Sequence, residues 1–360
     1  MTSWPNDMRS RLAPVLFTFA LAACTPAAPT LEPAAAPPSH ILQVSNTTAL
    51  LIAVAAVNDS VAWVSGAGGT WGRTLDGGAT WQSGRVPGAD SLQFRDVYAL
   101  DANRAWLLSI GNGAQTRIYH TTDGGAHWEL QFKNVDSSAF FDCMDFWDAQ
   151  RGIVVGDEVR GRATLLTTRD GGAHWTRRAD AEAPTTAKGE GSFAASGTCL
   201  VTRPGGHAWI VSADAAQTRV LHSRDYGDTW SSHALPFSVR AGTGAQSVSF
   251  RDATSGMAFG GGSTAKAGDQ NVAFTRDGGA TWELRSPLPL ASGAWGGVYV
   301  PGARRPLVVA VGPSGSVFSR DEGATWTPID TLNYWSVGFA SRNAGWAVGT
   351  RGRITKLGGF

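Results

Sequence analysis

Four acids lie close together in the chain: Asp142, Asp145, Asp157 and Glu158. Two carboxyls flanking a glycosidic bond, about 5–9.5 Å apart, can work as acid and base or as acid and nucleophile. Sequence supplies no such distance, and scattered surface acids are the commoner source of a group like this. No catalytic residue is assigned. The seven His do not cluster at ligand spacing and no His-Glu-x-x-His occurs, so no metal is expected. No Gly-x-x-x-x-Gly-Lys occurs, and the Gly-x-Gly stretches lie between strands rather than before a helix. No cofactor is therefore expected.

The elements that would position such residues come from a repeat. Thr74-Leu-Asp76-Gly-Gly-Ala-Thr-Trp81 recurs around Asp123, Asp170, Asp225, Asp277 and Asp321. The pattern is [Ser/Thr]-x-Asp-x-Gly-x-[Thr/His]-Trp, with Asp spacings of 47, 47, 55, 52 and 44 residues. Asp can bond backbone N–H groups two residues on, and Gly supplies positive φ, so each copy reads as a hairpin turn. The Trp then opens the next strand, buried between sheets. His127 and His174 occupy the Thr position and read as turn residues.

A second repeat precedes each turn. Ala62-Trp63-Val-Ser-Gly66, Ala105-Trp106, Gly152-Ile153, Ala208-Trp209, Gly256-Met257, Val308-Val309 and Gly345-Trp346 open seven apolar runs. The seventh unit has Leu357 where the turn Asp should stand. Ile41–Thr47 is a spare strand that can complete it. The expected fold is all-β, a seven-bladed β-propeller with four-stranded blades, its ring closed by an N-terminal strand. Residues 40–360 then allow about 46 per blade.

The turn motif resembles the Asp-box, or BNR repeat. Together with the Gly-Trp-Ala-Val-Gly runs it is most similar to the photosystem II stability/assembly factor-like family, over about residues 40–360. That resemblance implies a binder that holds a membrane-protein partner with an Arg-bearing surface. It also implies that the six Asp are structural. Sialidases share the repeat but need an early Arg-Ile-Pro. Arg85-Val-Pro87 is the nearest match and follows the first turn instead. The second reading is a glycan-active enzyme or lectin of sialidase-like type.

Residues 1–23 resemble a lipoprotein signal peptide. Arg9 and Arg11 precede a short apolar run, and Leu21-Ala-Ala-Cys24 follows. The resemblance implies lipidation at Cys24, export and membrane anchoring. Thr25 after the Cys points to the outer membrane by enterobacterial sorting. Residues 24–39, one third Pro from Thr25 to Ser39, read as a tether. With 45 Gly, 15 Trp and 16% charged residues the rest is not a disordered chain. A net charge of +1 argues against a nucleic-acid partner.

Cys143 and Cys199 each stand nine residues before a second-strand run, so they are equivalent on adjacent innermost strands. In an oxidising compartment they are either bridged or two buried thiols. The turns occupy one face of the ring. The other face should carry the partner, with Arg95, Asp142, Trp295, Tyr299 and Trp335 at the channel mouth. Arg160, Arg162, Arg351 and Arg353 sit on neighbouring loops.

Overall fold

The computed structural model describes residues 1, 38–213 and 216–360. The signal segment from residue 2 onward, Cys24 and most of the tether lie outside the described residues. Seven four-stranded antiparallel sheets form the described fold. Their innermost strands touch in cyclic order, the last against the first, which makes a seven-bladed propeller. Blade 1 runs Leu51–Ala56, Ala62–Gly66, Thr70–Thr74 and Gln82–Arg85, from the axis outward. The innermost strands of blades 2 to 7 are Phe94–Ala99, Phe141–Phe146, Leu200–Arg203, Thr243–Phe250, Gly296–Tyr299 and Ser336–Ser341.

Second strands such as Ala105–Ser109, Val308–Gly312 and Ala344–Val348 are buried at every position. They are covered on both faces by neighbouring blades, so they read as unbroken apolar runs rather than alternating ones. Their Trp also tie blades together. The Trp63 indole donates to Asp101 O at 3.0 Å, Trp106 to Gly171 O at 3.2 Å and Trp209 to Gly278 O at 2.8 Å, each in the next blade.

Blade 7 takes its outermost strand from the N-terminal side. Ser39–Gln43 pairs antiparallel with Ile354–Gly358, from Ser39 opposite Gly358 to Gln43 opposite Ile354. The strand begins two residues before the expected Ile41 and stops at Gln43. Gln43 then locks the seam. It accepts from the Trp81 indole at 2.9 Å and donates to Gly77 O at 3.3 Å.

All six repeated turns join third and outermost strands and share one hydrogen-bond pattern. In the first, Thr74 Oγ1 donates to Asp76 Oδ1 at 2.8 Å and accepts from Gly78 N–H at 2.8 Å. Asp76 Oδ1 accepts from Thr80 N–H at 2.8 Å, and Oδ2 from Thr80 Oγ1 at 2.6 Å. The Asp thus reaches four residues on, not the two expected. His127 and His174 substitute for Thr because Nδ1 meets the same carboxylate, at 2.6 and 2.7 Å. These bonds hold Asp76, Asp123 and Asp170 at a pKa of about 2. The motif Trp are buried between sheets only at Trp81; the other five are half-buried.

The pattern also separates the two central positions. The first accepts Tyr226 and Glu322 at φ 61 and 55. The second is Gly in all six, at φ 83–92. A Cβ on Gly125 would lie 2.4 Å from the Trp71 ring. Gly125→Ala should therefore lose about 2–4 kcal/mol in urea unfolding, combining backbone strain with overpacking. Gly171→Asn, at a first position, should lose about 1 kcal/mol or less. Equal losses would refute this account of the motif.

Around the axis, side chains of one innermost strand cap the open edge of the next. Asp96 accepts from Met144 N–H at 2.6 Å and Asp145 from Thr202 N–H at 2.7 Å. Ser247 and Ser249 accept from Gly297 and Tyr299 N–H, each at 3.0 Å. These strands have no neighbour on the channel side, so their N–H groups would otherwise be buried without partners. Cys143 and Cys199 form a disulfide across the same seam between blades 3 and 4, with Cα atoms 6.0 Å apart.

Candidate functional site

On the face opposite the turns, a segment of the chain lies across the channel mouth. The connection from blade 3 to blade 4 leaves Arg177 and runs inward. Its last part, Ala194–Thr198, crosses the axis. Arg95 of blade 2 donates to Ala194 O at 2.9 Å. Ser196 Oγ donates to Trp295 O at 2.7 Å, and Ser336 Oγ donates to Ser196 O at 2.8 Å. Thr198 Oγ1 bonds Ser247 Oγ at 2.8 Å, and Val248 N–H donates to Thr198 O at 2.9 Å. One short segment is thus bonded to blades 2, 5, 6 and 7. Gly197 fits there because any Cβ would meet Asp96 Oδ1 at 2.3 Å, at φ +72.

The segment is anchored where it turns inward. Buried Glu190 accepts from Ser212 Oγ at 2.6 Å, from Ala187 N–H at 2.7 Å and from the Arg219 guanidinium. Asp157 accepts from Ser192 N–H at 3.2 Å. Asp142 is wholly buried beside Asp157, and its Oδ2 has no hydrogen-bond partner. Burial, then the neighbouring Asp157 charge, push Asp142 well above the carboxylate range, while burial raises Asp157 to about 6. With Asp142 1% exposed, the pair offers a sugar no access, unlike a glycosidase pair.

The sequence candidates therefore fall into separate groups. Arg95, Trp295 and Trp335 come together around the plug. Arg95 lies over the Trp335 ring at 5.3 Å, and the two Trp meet edge to face at 4.6 Å. Asp142 is beneath the plug and inaccessible. Arg160 and Arg162 brace the long connection, through Asp180 at 3.6 Å and Ala183 O at 2.8 Å. Tyr299 was expected at the mouth and is not there. It ends its strand on the turn face, its hydroxyl 3.5 Å from Glu322 of the sixth turn. Four residues of extended chain separate it from Trp295, about 13 Å.

Arg351 and Arg353 are joined on this face by Arg85 of the Arg-Val-Pro stretch. With Arg85 they line a groove of about 820 Å³ between blades 7 and 1. Leu42 and Val44 form its apolar wall, 64% and 77% exposed. No acid lines it among the described residues. Arg353 is held by Asn333 O at 2.8 Å, and Arg85 has Asp90 at 3.4 Å in an exposed pair. Arg351 is exposed, at φ 59. The only sequence signal for Arg85 was its place two residues before Pro87.

Among the described residues, no group of three or more His, Cys, Asp or Glu is arranged to hold a metal ion. No protein-family model matches the chain, and no curated protein matches it. Solved structures do. One is YCF48 from Cyanidioschyzon merolae, at 17% identity and TM-score 0.66, over 90% of this chain and 99% of that one. Another is YCF48 bound to D1 peptide, at 19% identity and TM-score 0.62, over 93% and 99%. A third is the GH74 xyloglucanase from Xanthomonas campestris, at 14% identity and TM-score 0.62; the match takes in 89% of this chain and 53% of that one. At such identities the likeness is one of fold, and the chain is similar to these proteins as a seven-bladed propeller.

Proposed function

We propose that this chain is an exported, lipid-anchored Asp-box propeller that binds a protein partner and assists assembly of a membrane or envelope complex. The single observation carrying the binding reading is the groove between blades 7 and 1, with its three Arg, exposed apolar wall and no lining acid. Arg and apolar anchors side by side suit a protein surface bearing carboxylates. The likeness to a YCF48 structure that holds a peptide supports the same reading. The segment across the mouth and the burial of Asp142 count against glycan hydrolysis at the axis. Lipidation at Cys24, the tether 24–39 and outer-membrane placement rest on the sequence resemblance.

The test is affinity capture from detergent-solubilised membranes with the wild-type chain and with Arg351→Glu. Among the described residues no hydrogen bond or ion pair is made by the Arg351 side chain, so folding should be unchanged. Reversing an interfacial charge should weaken a specific partner about tenfold or more. Identical partner lists at identical yields would remove the groove from the proposal.

A further inference from the structure

The fourth turn departs from the other five, and its departures lead to a second cleft. It reads Ser223-Arg-Asp225-Tyr226-Gly-Asp228-Thr-Trp230. Tyr226 stands where four copies have Gly, and Asp228 where all five have Ala. Tyr226 sits at φ 61, a conformation costly for an aromatic residue. Glu322, the other exception, has partners in Arg251 and Tyr299. Both Tyr226 and Asp228 line a cleft of about 650 Å³ on the turn face between blades 3 and 4. That volume is ordinary for a small-ligand site. This cleft is on the opposite face from the Arg groove.

Its walls carry two rings and charges of both signs. Trp147 meets the Tyr226 ring edge to face at 5.4 Å, and the Arg151 guanidinium covers Tyr226 at 3.9 Å. Arg151 is paired with Asp148 at 2.6 Å and Arg178 with Asp228 at 2.9 Å. Arg169 is 3.7 Å from Asp228. An anionic ligand would face Asp148 and Asp228. A cationic one would face three Arg. A purely apolar one would desolvate both ion pairs without replacing water's hydrogen bonds. Hydroxyl groups both donate and accept, so they match a guanidinium and a carboxylate held side by side. A ring with apolar C–H faces also suits the aromatic wall.

We propose that this cleft is a saccharide-binding site, taking a neutral oligosaccharide with one ring against Trp147 and Tyr226 and its hydroxyls on the two Arg–Asp pairs. The test is titration calorimetry of the full chain with cellotriose, maltotriose and tri-N-acetylchitotriose, beside succinate and tyrosine amide. At least one trisaccharide should bind with a Kd of about 1 mM or tighter. Combining Tyr226→Gly with Asp228→Ala gives this turn the sequence of the fifth copy after its first residue, so the fold is kept. The combined variant should bind that trisaccharide at least about tenfold more weakly, while still unfolding in one cooperative transition. Arg351→Glu should leave saccharide binding intact, which separates this site from the groove. Binding by none of the three sugars overturns the proposal. So does equal affinity in the variant, or displacement of the sugar by succinate or tyrosine amide.

Discussion

Glu190→Ala is expected to destabilise the chain by about 3–5 kcal/mol, the cost of breaking a buried ion pair from one side. The Glu190 side chain is 1% exposed. Its carboxylate gathers Arg219, Ser212 Oγ and Ala187 N–H at the point where the long connection turns toward the axis. Removing it takes a carboxylate partner from a guanidinium that is largely out of water and leaves the Ala187 N–H without this acceptor. The effect should be local as well as global. Lys188 is exposed two residues away, so trypsin should cut there faster in the variant under native conditions. A urea midpoint within error of wild type, with an unchanged cleavage rate, would show that the anchor holds nothing.

The second large effect concerns pH. Asp157 has a folded pKa of about 6, above the ordinary carboxylate value. The folded state therefore holds a proton that the unfolded chain has released. Stability from this group is complete below about pH 4, falls as pH rises toward 6 and is flat above, a loss of about 2–3 kcal/mol. Asp142→Asn removes a second buried carboxyl that burial pushes well above the carboxylate range, and with it that group's own proton uptake on folding. It should make the chain about 1–2 kcal/mol more stable at pH 7 and flatten the slope between pH 4 and 6. Parallel pH–stability curves for the two chains would contradict the raised pKa of Asp142.

The blades were legible because their signals are local. Each turn is complete within eight residues, and each second strand advertises its double burial as an unbroken apolar run. Closure was legible from a deficit: Leu357 in place of a turn Asp, and a strand left over near Ile41. The plug was not legible. Its bonds join Ser196 to Trp295, Ser336 to Ser196 and Thr198 to Ser247, across 99, 140 and 49 residues. Small hydroxyl side chains at such separations carry no periodicity to read. The connection was visible as a long loop, but not its path. Tyr299 was misplaced because strand membership was read correctly while strand direction was not applied. The Tyr226 cleft had a signal, two departures in an otherwise regular turn, and regularity drew attention away from it.

The closing strand has a mechanical meaning. Any pull on the chain before Ser39 enters the fold through Ser39–Gln43 and loads the ladder to Ile354–Gly358. Drawn along its length, that ladder shares the load over all five residue pairs at once. Peeled from one end, it would yield pair by pair. Gln43, gripping Trp81 and Gly77 of blade 1 at the far end of the strand, passes tension to a second blade. The strand that completes the ring is thus also its point of suspension. Force strong enough to free it would open the ring at its only seam made from both ends of the described fold.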